Sequence, residues 1–449
     1  MKETILYAGR QLPVLGSYDV IVAGGGTAGS AAAITAAGRG LNTLVVEQAN
    51  ALGGTPVHGL VCPMMPTHVP HLEVLRQVEQ GLRQLGRSTR DGLSRVLWFA
   101  PADLGQVLED LCLEAGAQIL YNTVLTDALC TDGHIRHLIV MTAEGPAALR
   151  ADCFLDAPGA AVLTRLAGVP TVSGDETGAN QISSLRFIMG GIDVDAYRAY
   201  CLSIGDTFSP LTEGPFFESA MVGGRDFKLE PLFQKGVADG VLQPDDLRYY
   251  QAFTLPGQPG CMAFNCPHLV QMPVNTSAAA RSEALIDGRK RIRRLTAFLR
   301  GYMPGFESAY LQQTASMPGI RESWRLQGLY TLTEQDYLDR ARFPDGLVKG
   351  DWYIDVHSAQ KGLHHQKAYE PGEYYEIPYR SLVAEQADNL IVAGRCISAS
   401  FLMQASVRII PTCTDMGEAA ACACQLSLQT GRPLNALDGS RVRALLSQS

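Results

Sequence analysis

Apolar residues run unbroken through "YDVIVA" at 18 to 23, yield to glycines, return in the alanine-rich "AGSAAAITAAGRG", and run again through "NTLVVEQ". A short apolar run bounded by glycine reads as a strand buried on both faces. The alanine-rich stretch ending at glycine reads as a helix, so the order predicts a βαβ unit. Further on, Leu104, Val107, Leu108 and Leu111 recur at helical spacing in "ADLGQVLEDLCLEAG", which stops at Gly116. Three strand-like stretches follow, "AQILYNTVLTDAL", "HIRHLIVMTA" and "AALRADCFLDA", with the turn "TDG" between the first two. They predict a small antiparallel meander that returns to the parallel sheet at "CFLDA".

From about residue 170 to 385 the texture changes to more aromatics and prolines, long polar loops, and helical pieces at 193–204 and 278–301. This stretch reads as a separate α+β unit. After it, "NLIVAG" is again a buried parallel strand, and 411–431 is a helix with proline at its start and glycine at its end. The fold class is therefore α/β: a Rossmann-like domain, parallel sheet plus antiparallel meander, with an inserted α+β substrate domain. The expected divisions are 17–169 with 386–432, 170–385, and a C-terminal tail at 433–449.

At 449 residues, 46% hydrophobic and 18% charged, the chain has the composition of a globular protein with a sizeable core. Its net charge of −8 argues against nucleic acid and anionic lipid as partners. The one basic run, "GRKRIRRLTAFLR" at 288–300, places its arginines around Ile292, Leu295, Phe298 and Leu299 at helical spacing, the pattern of a solvated helix face. Eleven scattered cysteines suit a reducing, cytoplasmic setting better than a disulfide framework. Cys261 and Cys266 lack a matching second pair, Cys422 and Cys424 point apart on a helix, and the neighbours His364 and His365 lack a third ligand, so no metal is expected. The N-terminus lacks the apolar core of a secretion signal, and no run of 18 purely apolar residues predicts a membrane span.

Gly24, Gly26 and Gly29 have G-x-G-x-x-G spacing directly after a strand and at the opening of a helix. The first glycine allows the tight turn, the second lets backbone approach a pyrophosphate, and the third lets helix and strand pack closely. Glu47 ends the second strand at about the distance expected of a ribose-binding carboxylate. The fingerprint alone does not separate FAD from NAD.

With "ALGGTPVHG" at 51–59, "GIRESWRLQGLYTLTEQD" at 319–336, "IPYRSLVAEQADNLIVAGRCISAS" and "VRIIPTCTDMGEAAA", the chain resembles the FAD-dependent oxidoreductases of the glutathione-reductase-like flavoprotein superfamily, over residues 17 to 432. The resemblance implies FAD as cofactor. Gly24, Gly26, Thr27, Ala28 and Gly29 would hold its pyrophosphate, with Glu47 and the adjoining Gln48 at the adenosine ribose. Gly53, Gly54 and Thr55 would line the approach to the flavin, and Val124 would meet the adenine through its backbone. Gly159, Gly394, Arg395 and Thr412 would complete the site, the helix beginning near Pro411 pointing its positive end at the flavin. Arg395 stands where the superfamily often has a ribityl-binding aspartate; it reads either as a cofactor contact or as a salt-bridge partner of Glu418. The chain departs from its relatives in "DAPGAA" at 156–161, where Asp-Ala-Thr-Gly-Asp is usual, in Trp324 for arginine, and in Phe401 for histidine. The last two suggest a more aromatic or apolar substrate, or lower activity.

The implied activity is hydride transfer between a small organic substrate and flavin N5, in either direction, including an ene reductase resembling fumarate reductase. The alternative is a flavin-binding scaffold or sensor with little turnover. Without a second nucleotide fingerprint, electrons come from a substrate, a transient nicotinamide, or a donor or acceptor protein. Three residues are catalytic candidates. Arg321 would clamp a carboxylate or polarise a carbonyl, or else pair with Glu322 to brace the domains. His357 titrates in the range needed for proton transfer or is a plain loop histidine. Tyr379 would face the flavin or belong to the core. His58 and Cys62 would line the flavin pocket, with covalent attachment the alternative.

Overall fold

The computed structural model describes residues 3–90, 96–209, 213–272, 274–358, 362–365 and 369–447. Strand β1 (Arg10–Ala23) feeds helix α1 (Thr27–Gly38) and then strand β2 (Thr43–Val46), which lies parallel to β1 with Val20 opposite Thr43 and Ala23 opposite Val46. Helix α2 (Pro101–Glu114) leads to β3 (Gln118–Leu120), parallel to β2. The buried βαβ unit expected from the apolar runs is present.

The meander follows as β4 (Val124–Thr131), β5 (His134–Thr142) and β6 (Gly145–Asp156). Strand β6 serves two sheets in one. Its first half pairs antiparallel with β5, while Phe154 to Asp156 pair in parallel with the late strand β7 (Leu390–Val392); the opposite edge of β6 lies along β1. The segment at 390–392 thus re-enters the first sheet after more than two hundred intervening residues. The chain after it leads through turns to helices α3 (Phe401–Val407) and α4 (Ile410–Thr430).

Helix α4 lies directly on α1. A methyl group at Gly417 would stand 2.0 Å from the Ala28 carbonyl oxygen, so only glycine permits this approach. Within the intervening segment, five antiparallel strands in the spatial order Glu218–Met221, Tyr250–Thr254, Met262–Phe264, Phe187–Gly190 and Tyr310–Thr314 form a second sheet. The long helix Ala278–Tyr302 buries Ile292, Leu295, Phe298 and Leu299, and its basic run is balanced by Arg291 on Asp287 and Arg294 on Asp246.

The apolar side chains divide differently from the expected boundaries. Leu326, Leu347, Ile377 and Leu382 join the core of the nucleotide sheet, as do Leu434, Leu437, Val442 and Leu446 near the C-terminus. Leu60, Cys62, Val96 and Trp98, early in sequence, join the core of the second sheet. Chain order and shared burial are separate properties here, because short strands and the C-terminal helix Gly439–Leu446 cross from one stretch of sequence to pack in the other core. No helix among the described residues is long and apolar enough to cross a membrane.

Candidate functional site

The strand ends at Ala23, Val46, Asp156 and Val392 come together at the carboxyl edge of the parallel sheet, the usual place for a ligand crevice. Gly24 has φ 88° and donates its N–H to the Val46 carbonyl at 2.8 Å. A Cβ at Gly29 would stand 1.9 Å from the Gly24 carbonyl oxygen, whereas one at Gly26 would meet nothing nearer than the Ala157 oxygen at 3.7 Å. The first and third glycines are therefore used for turn and packing, and the middle one leaves space for a ligand.

Around this turn the other expected residues gather. Gly53 donates its N–H to Gly25 at 2.8 Å, and a Cβ on Gly54 would stand 3.0 Å from the Gly26 Cα, so the glycine pair lies against the fingerprint. Thr27 and Ala28 open α1, and Gly394 packs on Ala28. The Glu47 carboxylate accepts the N–H groups of Gly25 at 2.7 Å and Ala49 at 2.8 Å. A carboxylate has room for about four hydrogen bonds, so capacity for a ribose hydroxyl remains. Exposed Gln48 follows it. Thr123 donates its N–H to the Glu47 carbonyl, which brings exposed Val124 beside the Glu47 loop. Buried Thr412 sits in the first turn of α4, whose 21 residues point their N-terminal end toward the same crevice as α1.

Arg395 ties three segments together. Its Nε donates to the Gly159 carbonyl at 2.7 Å, and its Nη1 reaches both the Thr55 hydroxyl and the Ile320 carbonyl. Gly159 takes φ 73°, and a Cβ there would strike the guanidinium. The salt bridge to Glu418 is absent: that carboxylate accepts the Val74 N–H at 3.0 Å. Desolvation pushes the Arg395 guanidinium down, and no carboxylate bonds to it among the described residues. A desolvated cation lacking an anion beside an open glycine turn suits a pyrophosphate-bearing cofactor. In the altered turn, buried Asp156 accepts the Thr164 N–H at 2.7 Å and hydroxyl at 2.6 Å, and burial raises its carboxyl to about 6.

The family's sequence pattern, described as FAD dependent oxidoreductase, matches residues 19–446. The chain belongs to that family. Its cofactor is FAD, and it is an FAD-dependent oxidoreductase. Among curated proteins, it is 32% identical over 160 residues to a thiamine thiazole synthase of Aeropyrum pernix, covering 33% of this chain and 57% of that one. It is 28% identical over 196 residues to a digeranylgeranylglycerophospholipid reductase of Methanoculleus marisnigri, covering 40% and 48%. The aligned parts thus span about half the length of these curated relatives. A solved p-nitrophenol 4-monooxygenase from Pseudomonas putida shares the fold at 11% identity and a TM-score of 0.50, over 96% of this chain and 86% of that one.

For an enzyme of this family, the catalytic candidates fare unequally. Arg321 is buried, and one guanidinium nitrogen donates to the Ile182 carbonyl at 2.6 Å and the Ser184 hydroxyl at 2.9 Å. It does not pair with Glu322, which instead binds Arg325, the Gly174 N–H and Asn180. The side chain of His357 lies outside the described residues, as do those of His364 and His365.

Tyr379 is placed in the core: its hydroxyl donates to the Leu434 carbonyl at 2.6 Å, and its ring lies against Gly439. Cys424 is its neighbour, fourteen residues or about 21 Å along α4 from that helix's first residue, so Tyr379 lies far from the end of α4 that carries Thr412. The tyrosine's position beside the late motif in sequence does not carry into space, because the chain turns there to pack against the C-terminal segment. Burial pushes the Cys62 thiol up to about 12, which leaves it a poor nucleophile, and His58 Nε2 lies 3.0 Å from the Ala51 carbonyl oxygen. Trp324 donates to the Thr276 hydroxyl at 3.1 Å under the Arg165 guanidinium.

Sequence reasoning missed Arg186 and Arg408. Arg186 follows "SSL" at the edge of a buried strand, and Arg408 lies within the quoted "VRIIPT". A cation inside an apolar run was the available signal.

Proposed function

We propose that this family member transfers a hydride between a small organic substrate and its FAD, with the substrate entering between the nucleotide sheet and the second sheet. The observation that carries the reading is the path from Arg395 to Arg321 through a single peptide: Arg395 bonds the Ile320 carbonyl, and Arg321 is the next residue. Cofactor-side and substrate-side cations are thereby held in fixed relation. FAD supplies the hydride-accepting or hydride-donating atom, N5 of its ring.

The chain's own residues do the positioning. The fingerprint turn and Arg395 hold anionic groups, and Gln404, buried on α3, accepts from Gln181 at 3.3 Å and donates to the Arg321 carbonyl at 2.9 Å. These bonds brace the junction of the two sheets and exclude water from it. The N-terminus of α4 offers positive potential to charge that collects beside it. All eleven cysteines are free, in keeping with a cytoplasmic setting as part of the same proposal.

Anaerobic mixing of the FAD-loaded protein with a panel of alcohols, amines, hydroxy acids and reduced nicotinamides tests the reading. One class should bleach the flavin band near roughly 450 nm far faster than the rest. Protein that takes up no FAD, or bleaching at the same slow rate by every donor, refutes it.

A further inference from the structure

Beside the cofactor crevice stand three arginines, Arg186 and Arg321 buried and Arg408 partly buried with its side chain 19% exposed. Ser184 and Arg186 are two residues apart in an extended segment bridged to His268 and Gly319, so they share a face. The Ser184 hydroxyl accepts from Arg321, which brings that guanidinium to the face bearing Arg186. Among the described residues, the Arg186 side chain reaches only the Leu60 carbonyl, at 3.4 Å. Arg408, at the end of α3, donates to the Asp355 backbone carbonyl at 3.0 Å and lies 3.5 Å from its carboxylate, while its buried Nε has no partner among the described residues.

Neither Arg186 nor Arg321 is ion-paired among the described residues. Asp355 is the carboxylate acting on both Arg321 and Arg408. Mutual repulsion with Arg408 and Arg186 adds to burial in pushing the Arg321 guanidinium down to about 9. Two more buried polar atoms, Gln181 Oε1 and the Ser183 hydroxyl, have no partner among the described residues, and the hydroxyl is free to donate. The rings of Tyr249 and His268 stack at 4.9 Å and 4° on the segment paired with Ser184, and the Tyr249 hydroxyl senses both Arg186 and Arg321.

We propose that Arg186, Arg321 and Arg408 form the substrate-anchoring site of this enzyme, and that the substrate is a small organic carboxylate. The proposal rests on the hydride-transfer reading and names its substrate class. Among the described residues these three guanidinium groups have one carboxylate, Asp355, which acts on Arg321 and Arg408, so two positive charges are left uncompensated in a largely desolvated place, and that arrangement is costly unless an anion completes it. Guanidinium groups match carboxylates in geometry, and they anchor without themselves moving a proton. On the same reading the cofactor's own phosphates fall to the fingerprint turn and Arg395, which leaves the three arginines to a second anion. The more apolar substrate suggested by Trp324 gives way to this reading, because Trp324 is occupied with Thr276 and Arg165.

The test titrates succinate, glutarate and benzoate, each against its amide counterpart, into the FAD-loaded enzyme while following the flavin spectrum. The same ligands are titrated by calorimetry into the chain without FAD. At least one carboxylate should bind about fiftyfold or more tightly than its amide, and Arg408→Gln should weaken it about tenfold or more, with Arg408→Lys recovering part of the loss. No carboxylate preferred over its amide, or a preference untouched by Arg408→Gln in folded protein, overturns the proposal. If the calorimetric preference is present but the protein takes up no FAD, the hydride-transfer reading fails while the anion site stands.

Discussion

Replacing Arg395 by methionine removes a guanidinium that donates to the Gly159 carbonyl at 2.7 Å and reaches Thr55 and Ile320. Methionine keeps much of the stem's packing and cannot donate. A hydrogen bond to a charged group is worth about 1.5 to 3 kcal/mol. Losing one such bond to the cofactor weakens FAD binding about ten- to hundredfold. Part of the effect on folding runs the other way, because the desolvated cation costs the native state something that methionine does not. The variant should therefore melt close to the parent in its FAD-free form while binding FAD more weakly, and Arg395→Lys should fall between the two. Fluorescence titration of the apoprotein with FAD measures the affinity, and thermal unfolding by circular dichroism provides the control. An FAD affinity within twofold of the parent would refute the assignment of Arg395 to the cofactor. Glu418→Gln serves as contrast: since Glu418 holds the Val74 N–H rather than Arg395, FAD affinity should not change.

Burial raises the Asp156 carboxyl from 3.8 to about 6, so the folded state binds that proton more tightly than the unfolded chain. The resulting stabilisation is full below about pH 3.8 and is lost as pH rises through 6, a loss of about 3 kcal/mol from this group; Asp156→Asn should remove that component of the slope in urea unfolding between pH 4 and 8, and an unchanged slope would contradict it. Tyr379→Phe should lose about 1 kcal/mol of stability through the Leu434 bond, and leave the rate of flavin reduction within twofold; a large fall in that rate would return Tyr379 to the active site. Gly29→Ala would place a methyl 1.9 Å from the Gly24 carbonyl oxygen. The helix must move to admit it, so stability should drop by about 3 kcal/mol or more in urea unfolding, with FAD affinity falling in the protein that folds.

The sequence by itself determined the βαβ unit, the glycine turn, the meander, the late strand and the helix after it. Those features depend on local periodicity and on glycine's conformational freedom, which one stretch of chain reveals alone. The family also followed from contiguous motifs, since each carries several site residues together. Three matters belonged to the tertiary structure. That Glu418 is not the partner of Arg395 shows only in the fold, where the Val74 N–H of a distant helix takes the carboxylate. Tyr379, adjacent in sequence to the late motif, was carried to the C-terminal segment by the direction of the chain. The arginine cluster draws Arg186, Arg321 and Arg408 from three separated stretches, and its unbalanced charge exists only once folding has buried Arg186 and Arg321 and partly covered Arg408 beside them. Local pattern determines elements and phosphate turns because they are made of neighbouring residues. A substrate site built across two sheets depends on long-range burial and charge, and these take their values only in the folded chain.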